Sequence, residues 1–222
     1  MEAGIRQGCV LALDSFATGM DWLLERTVES CPIGLEFSQR SFTDLDCADD
    51  VSHLAELLEL LVPTPETMAS EAASLGLEVN WQKTKVQALG CRKNMPLTIK
   101  VQVQDVMTVE EFVYLGSLIH STTGSTSDIR CRSAISCAAM QSLENQIWRS
   151  RLATSMRLKL YNTCILPVFL YGSDRWAISK MDTCRIDVLD QWCLRMLLGI
   201  KWYQFVRNDD VRRLTNDLNS LQ

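Results

Sequence analysis

Two adjacent aspartates, Asp49 and Asp50, lie between two short runs of β-forming residues, 41–45 and 51–55. This pattern predicts a tight hairpin that carries both carboxylates at its tip. Like charges a few ångströms apart repel each other, so such a pair is stabilised by a divalent cation that binds both groups. Oxygen ligands of this kind favour Mg²⁺. A solvated acidic turn is the alternative, and the pair alone does not decide between the two.

The rest of the sequence predicts an α+β fold whose character changes near residue 120. Apolar residues recur at helical spacing over 10–29, and short alternating runs after them predict strands, most clearly at 97–103. A segment rich in Ser, Thr and Gly, 121–127, follows. We therefore expect a mixed domain at 1–120 and an all-helical domain at 121–222. The predicted helices of the second domain are 127–148, 154–170, 182–198 and 209–219.

Charge divides the chain at the same place. Residues 1–120 contain 8 Lys and Arg against 18 Asp and Glu, whereas residues 121–222 contain 14 against 9. An acidic half with a metal site, joined to a basic half that contacts phosphates, would produce this distribution. Arginines that solubilise a helical surface would produce it equally well, so charge alone leaves both interpretations open.

Cysteine usage and hydropathy predict an intracellular protein, cytoplasmic or nuclear. The 9 cysteines are odd in number and form no Cys-x-x-Cys pair, which favours reduced thiols over a disulfide framework or a zinc site. The N-terminal segment lacks the basic and apolar regions of a signal peptide. The apolar run 164–171 is too short to cross a bilayer and contains Pro167, so we expect no membrane partner.

Four sequence blocks carry further information through their order and spacing. They are GIRQG at 4–8, CADD at 47–50, GLEVNWQKTK at 76–85 and FVYLGS at 112–117. Together with the stretch 162–176, they resemble the reverse transcriptase of non-LTR, LINE-type retrotransposons. The resemblance runs from within the polymerase palm into the thumb and covers nearly the whole chain.

This resemblance implies an RNA-directed DNA polymerase, a nucleotidyltransferase that uses two Mg²⁺ ions, an RNA template and a DNA primer. Asp49 would be the main catalytic metal ligand, and Asp50 the accessory carboxylate. Gly4, Gln7 and Gly8 would lie beside the templating base and the incoming nucleotide. Glycines there let the backbone approach the substrate closely.

The later blocks would contact the rest of the substrate. Either Lys83 or Lys85 would lie near the triphosphate, and each of them could equally be a solvated residue at a strand edge. The primer grip, whose backbone holds the 3′ end of the primer, would consist of Tyr114, Leu115 and Gly116. The thumb-like region would follow the nucleic-acid backbone through Arg130, Arg132, Arg149, Arg151 and Arg157.

The chain departs from the family pattern in ways that predict an inactive fragment. A two-metal site needs a third carboxylate from a strand upstream of Gly4, and only three residues precede Gly4 here. The fingers would be missing for the same reason, and Cys47 stands where the family has Phe or Tyr. We therefore expect an incomplete polymerase fragment or, alternatively, a non-enzymatic relic or co-opted fragment that binds nucleic acid. An exposed edge of the palm sheet would allow self-association.

Overall fold

The computed structural model describes residues 9–31, 33–90, 96–101 and 104–219. Packing divides the chain into two compact units. Unit 1 comprises Met1–Val86 and Lys93–Val109, and unit 2 comprises Gln87–Arg92 and Glu110–Gln222. Both units combine helices with short strands, which confirms the predicted α+β class. None of the helices in the described ranges has the length and apolar composition that crossing a bilayer requires.

Unit 1 begins with a long helix and two antiparallel hairpins. Helix α1 is Val10–Ser30, close to the predicted range. The hairpins pair β1 (Leu35–Phe37) with β2 (Arg40–Phe42), and β3 (Asp44–Cys47) with β4 (Asp50–His53). The prediction of one strand over 41–45 was wrong. The carbonyl oxygen of Thr43 accepts a hydrogen bond from the N–H of Leu54 at 2.8 Å, so the chain already belongs to the second hairpin there.

Two helices continue unit 1, α2 (Leu58–Leu61) and α3 (Pro63–Ser74). Pro63 is the first residue of α3, and Pro65 also lies in its first turn. The first turn tolerates proline because its missing N–H would have no partner within the helix. The helix ends at Ser74, and Gly76, the second residue after it, has a φ of 73°.

A small mixed sheet completes unit 1. It contains β5 (Lys85–Val86), β6 (Thr98–Val101) and the central strand β7 (Gln104–Thr108). Strand β7 runs antiparallel to β6 and parallel to β5, and the sequence did not indicate the parallel pairing. The buried side chains of this sheet are Ile99 and Val101 of β6 and Val106 of β7. A separate cluster of Met20, Leu23 and Ala72 joins α1 to α3.

Unit 2 is a hairpin followed by packed helices. The hairpin pairs β8 (Glu111–Tyr114) with β9 (Ser117–His120). The helices are α4 (Thr126–Ser142), α5 (Thr154–Leu160), α6 (Leu166–Phe169), α7 (Lys180–Leu198) and α8 (Asn208–Asn219). Two of the predicted helices contain π-helical turns, Glu144–Trp148 after α4 and Tyr161–Ile165 between α5 and α6.

Helix α7 begins two residues earlier than predicted because of a capping box. The Ser179 hydroxyl accepts a hydrogen bond from the N–H of Asp182, and the Asp182 carboxylate accepts one from the N–H of Ser179, each at 3.2 Å. The same carboxylate accepts a hydrogen bond from the Thr126 hydroxyl at the start of α4. The Ser179 hydroxyl also donates to this carboxylate, at 2.6 Å. This hydrogen bond first, and the others with it, hold the pKa of Asp182 below its ordinary value, against the opposing effect of burial.

Candidate functional site

The acidic pair lies on the hairpin of β3 and β4. Cys47 pairs with Asp50, which leaves Ala48 and Asp49 as a two-residue turn. Ala48 has a φ of 56°, a left-handed conformation that costs a residue with a Cβ about 1–2 kcal/mol. Both aspartates are exposed. The structure thus contains the hairpin that the sequence predicts, with Asp49 in its turn and Asp50 at the start of β4.

The register of this hairpin determines which side chains share a face. Asp50 lies opposite Cys47 and projects to the same face, whereas Asp46 lies opposite Val51 and projects to the other face. Val51 packs against the buried cluster of α1 and α3. Because the face of Asp46 is the one turned towards the helices, Asp46 does not extend the carboxylate surface of Asp50.

The carboxylates of the hairpin are the type of ligand that Mg²⁺ prefers, but they are too few to complete a two-metal site. Carboxylate oxygens suit this ion, which is commonly held by one or two carboxylates together with substrate phosphates and water. Among the described residues, no group of three or more His, Cys, Asp or Glu side chains is arranged to hold a metal ion. Asp49 and Asp50 can therefore supply only part of the ligand set of a two-metal centre.

His53 lies at the inner end of the same hairpin, opposite Asp44. Its Nε2 is 3.2 Å from the Sδ of Met68 on α3, and its buried Nδ1 has no hydrogen-bond partner in the described part of the chain. Burial lowers the pKa of His53, and the nearby carboxylate of Asp44 opposes this shift. The neutral imidazole therefore packs the base of the hairpin against α3.

The two candidate triphosphate lysines differ in how accessible their charges are. The backbone N–H of Lys83 donates to the carbonyl oxygen of Asn80 at 3.1 Å, and the Lys83 side chain is exposed. Lys85 is half-buried, and its ammonium group donates to the carbonyl oxygen of Gln82 at 2.9 Å. Lys83 is thus the more accessible cation. Gly4, Gln7 and Gly8 lie outside the described residues, so their predicted roles stay predictions.

The predicted primer-grip residues form the turn of the β8–β9 hairpin. Tyr114 pairs with Ser117, and the two turn residues between them are Leu115 and Gly116. Leu115 has a φ of 47° and Gly116 a φ of 78°. Positive φ at both central positions is typical of a type I′ turn, which matches the twist of a two-stranded hairpin.

Four polar side chains from the helical part of unit 2 contact four successive residues, from Leu115 in the turn to Leu118 in β9. We call Asp128, Arg132, Tyr171 and Arg175 the tip network. The Tyr171 hydroxyl donates to the carbonyl oxygen of Leu115 at 2.8 Å, Arg132 donates to the carbonyl oxygen of Gly116, Arg175 donates to the hydroxyl of Ser117, and Asp128 accepts from the N–H of Leu118 at 3.0 Å. The turn is therefore fixed by helical residues as well as by its own ladder.

The tip network contains two buried charges. Arg132 is 8% exposed and Asp128 is 5% exposed. The Nε of Arg132 lies 3.9 Å from the Oδ1 of Asp128, and the guanidinium carbon lies 4.4 Å from the centre of the Tyr171 ring. The other carboxylate oxygen of Asp128 accepts a hydrogen bond from the indole N–H of Trp176 at 2.8 Å. Buried ions need compensation of this kind, because leaving one unpaired is strongly destabilising.

Gly172 allows the last contact of the network to form. It has a φ of 70°, and a Cβ built on it would lie 2.7 Å from both the Arg175 guanidinium and the Ser117 hydroxyl. A side chain there would displace one of these groups. The sequence block at 112–117 and the stretch at 162–176 thus meet at a position where glycine leaves room for this contact and has the backbone freedom that a positive φ requires.

The five arginines with predicted phosphate contacts divide by exposure. Arg130, Arg149 and Arg151 are exposed. Arg157 is half-buried, and its guanidinium donates to the carbonyl oxygens of Leu197 and Ser150. Arg132 is occupied by the tip network. Exposure, which decides whether a phosphate can reach a guanidinium, is not readable from the sequence of an irregular helical region.

Sequence reasoning did not identify three members of the tip network, Asp128, Tyr171 and Arg175, as functional candidates. Tyr171 and Arg175 belong to a stretch that carried the family resemblance, so a signal was present without a role attached to it. Asp128 had no signal, because an acidic residue in the first turn of a helix is ordinary and usually solvated.

Comparison with known proteins shows a partial similarity to one curated protein. The chain is 26% identical over 176 residues to an uncharacterized transposon-derived protein of Caenorhabditis elegans. The match covers 78% of this chain and 62% of that protein, so the chain spans less than two thirds of the relative's length. No protein-family model matches the chain. No solved structure matches it significantly.

Proposed function

We propose that this chain is part of a retrotransposon-type RNA-directed DNA polymerase, containing the C-terminal portion of the palm and a thumb-like helical region. The observation that carries the proposal is the exposed β3–β4 hairpin with Asp49 and Asp50 at its tip. The similarity to a transposon-derived protein supports an origin in a mobile element. The turn at Leu115 and Gly116 adds a second element in the order that the family resemblance implies.

In this proposal Asp49 and Asp50 hold Mg²⁺ through their exposed carboxylates. The ion would stabilise the negative charge that develops during phosphoryl transfer. A further carboxylate from outside the described residues has to complete the ligand set, because the described part of the chain arranges no group of three ligands. Lys83, with its exposed ammonium group, is the better candidate to neutralise the leaving pyrophosphate, although Lys85 stays a candidate.

The nucleic-acid backbone would follow the exposed arginines of unit 2. Guanidinium groups bind phosphate through paired N–H donors, and this binding does not depend on sequence. Arg130 and Arg151 are exposed and available for such contacts. Arg149 is exposed as well, but its guanidinium is paired with the carboxylate of Glu144 at 2.5 Å, so a phosphate would have to replace that carboxylate. Arg132 and Arg157 would contribute only indirectly, since their donors already bind backbone carbonyl oxygens.

Primer extension on an RNA template in Mg²⁺ tests the catalytic proposal. Asp49→Asn should reduce any extension by about 100-fold or more, because misplaced metal and substrate atoms are that costly. Asp46→Asn is the matched control, since it changes the same residue type on the opposite face of the same hairpin. If both variants lose primer extension equally, or both retain it equally, Asp49 is not the catalytic metal ligand.

Metal binding can be tested without turnover. Mn²⁺, a paramagnetic stand-in for Mg²⁺, should broaden the NMR signals of the amides at 47–50 in the wild-type chain. The broadening should weaken in Asp49→Asn and persist in Asp46→Asn. Broadening that is equal in all three proteins would mean that the hairpin does not bind the ion specifically.

A second candidate function is nucleic-acid binding without catalysis, by a relic or a co-opted fragment. It is favoured by the same shortage of metal ligands in the described residues. In this case the chain should bind an RNA–DNA duplex more weakly as the salt concentration rises. Each phosphate contact that is lost should make the plot of log affinity against log salt shallower by about 1 unit of slope. Replacing Arg149 and Arg151 by Ala should weaken binding, whereas Asp49→Asn should leave it unchanged.

A further inference from the structure

We propose that the four residues of the tip network are positioning residues for the β8–β9 turn. The helical region would thereby set the geometry of the surface that receives the 3′ end of a primer. This inference rests on the proposed function. It adds a role for side chains that lie behind the turn and need not touch the nucleic acid.

The hairpin is too small to define its own tip. Each of its strands has four residues, and an isolated two-stranded hairpin is at best marginally stable in water. Leu115, although not a glycine, occupies a left-handed conformation, and Leu115 and Val113 are 41% and 56% exposed. Apolar packing therefore contributes little at the tip, and the geometry depends on polar contacts from elsewhere.

Those contacts fix both peptide groups that follow the turn residues. The carbonyl oxygens of Leu115 and Gly116 accept hydrogen bonds from Tyr171 and Arg132. A trans peptide group is planar, and its C=O and N–H point in opposite directions. Because the Leu115 carbonyl points towards Tyr171, the N–H of Gly116 in the same peptide group points away from it. The network thus orients a backbone donor outward, where a phosphate oxygen of a primer could accept from it.

The buried charges make this orientation stiff. Asp128 joins the N–H of Leu118 in β9 to the indole of Trp176, and it lies beside Arg132, which donates to Gly116. Movement of the turn would separate several charge-assisted hydrogen bonds at once, and such bonds are about twice as strong as neutral ones. The turn and the helices should therefore behave as one rigid element.

Tyr171→Phe is the mildest test of the proposal, because it removes one hydroxyl and leaves the ring beside Arg132 in place. The readout is the affinity of the full chain for an RNA–DNA duplex with a recessed primer 3′ end, divided by its affinity for the same duplex with blunt ends. Tyr203→Phe is the matched control, since Tyr203 is exposed and its ring contacts Trp202.

We expect the wild-type chain to prefer the recessed end. Tyr171→Phe should lower this preference by about twofold to tenfold, the range that corresponds to the net value of one hydrogen bond. Affinity for the blunt duplex and the melting temperature should stay close to wild type, and Tyr203→Phe should change neither quantity. Arg132→Lys, which keeps the charge but loses the planar fork, should lower the preference as well.

The other outcomes separate the inference from the proposed function. If the wild-type chain prefers recessed ends and both variants keep the full preference, positioning by the network is wrong while the polymerase proposal stands. If Tyr171→Phe weakens both duplexes equally and lowers the melting temperature, the network is only structural. If the wild-type chain binds recessed and blunt duplexes equally, it does not recognise a primer end, and the positioning role is wrong as well.

Hydrogen exchange supplies a readout that needs no nucleic acid. The amide of Leu118 donates to the charged carboxylate of Asp128. Asp128→Asn removes the charge and weakens this hydrogen bond, so exchange of the Leu118 amide should accelerate together with exchange at the turn residues. Acceleration confined to Leu118 would mean that the turn is held without the network, and it would overturn the inference.

Discussion

The hydroxyl of Tyr171 donates a hydrogen bond to the carbonyl oxygen of Leu115, 2.8 Å away across 56 positions of sequence. The two residues belong to different blocks of the family resemblance, and unit 2 brings these blocks into contact. The hairpin at 111–120 packs with the helices that follow it, so its tip depends on chain that lies far beyond the linker at 121–127. A polypeptide cut after residue 120 would keep the sequence of the turn but lose its support.

Asp128 is expected to be the residue of the tip network whose loss destabilises unit 2 most. Asp128→Ala removes the acceptor of two buried donors and leaves Arg132 without its counter-ion, which should lower the free energy of unfolding by about 3–5 kcal/mol. Asp128→Asn should cost less, because the amide oxygen can still accept from Trp176 or Leu118. Urea unfolding measures both values.

The exposed Asp174 provides the control for this prediction. Asp174→Ala should change the free energy of unfolding by no more than about 0.5 kcal/mol, as surface substitutions usually do. If Asp128→Ala lowers the free energy of unfolding no more than Asp174→Ala does, the buried carboxylate does not stabilise unit 2.

Alanine variants of Gly172 and Gly199 should distinguish the cost of a left-handed backbone from the cost of a steric clash. Both have a φ of 70°, but a Cβ on Gly199 would meet nothing within 4 Å, whereas one on Gly172 would meet Arg175 and Ser117 at 2.7 Å. Gly199→Ala should therefore cost only the left-handed penalty of about 1–2 kcal/mol. Gly172→Ala should cost a further ~2 kcal/mol from overpacking. Thermal unfolding of the pair gives the difference directly, and equal costs would show that the tip tolerates a side chain at residue 172.

Local signals in the sequence were sufficient for the elements that depend on neighbouring residues. The spacing of apolar residues located α1 to within one residue of its end. The two β-forming runs correctly indicated a turn between residues 45 and 51, where Ala48 and Asp49 form it, although they did not reveal the change of hairpin at Thr43. These features are decided within a few residues of sequence.

Features that depend on distant residues could not be predicted in this way. The parallel pairing of β5 with β7 joins Lys85 to Met107 and leaves no local pattern. Arg132 and Arg130 stand two residues apart, yet one is buried and the other exposed, because the hairpin and Tyr171 cover only one face of α4. Charge patterning treats both arginines alike, so the sequence could not distinguish a structural guanidinium from an accessible one.

The stability of unit 1 should depend on pH through His53. Burial lowers the pKa of this imidazole in the folded chain, while the unfolded chain titrates near the ordinary value of about 6.5. Between these two pKa values the unfolded state binds more protons, so the free energy of unfolding should fall as the pH falls below about 6.5. Amide exchange in β3 and β4 at pH 7.5 and at lower pH measures this change.

The variant His53→Gln tests whether His53 is responsible. Glutamine keeps a polar group near Met68 but does not titrate, so the decrease in protection below neutral pH should become smaller. A wild-type decrease that persists unchanged in His53→Gln would assign the effect to other groups of unit 1.

Self-association should depend on the first turns of α1. Met20, Leu23 and Leu24 are buried on one stripe of this helix, and Val10 and Leu13 continue the same stripe while remaining 87% and 80% exposed. An uncovered apolar surface of this kind promotes association, and the edges of the short sheets would add to it. Leu13→Lys should shift the concentration at which oligomers appear to a higher value, whereas Ser15→Lys, which adds the same charge outside the stripe, should shift it less. Sedimentation velocity over a range of concentrations measures both shifts. A wild-type chain that stays monomeric at every concentration would show that this stripe does not drive association.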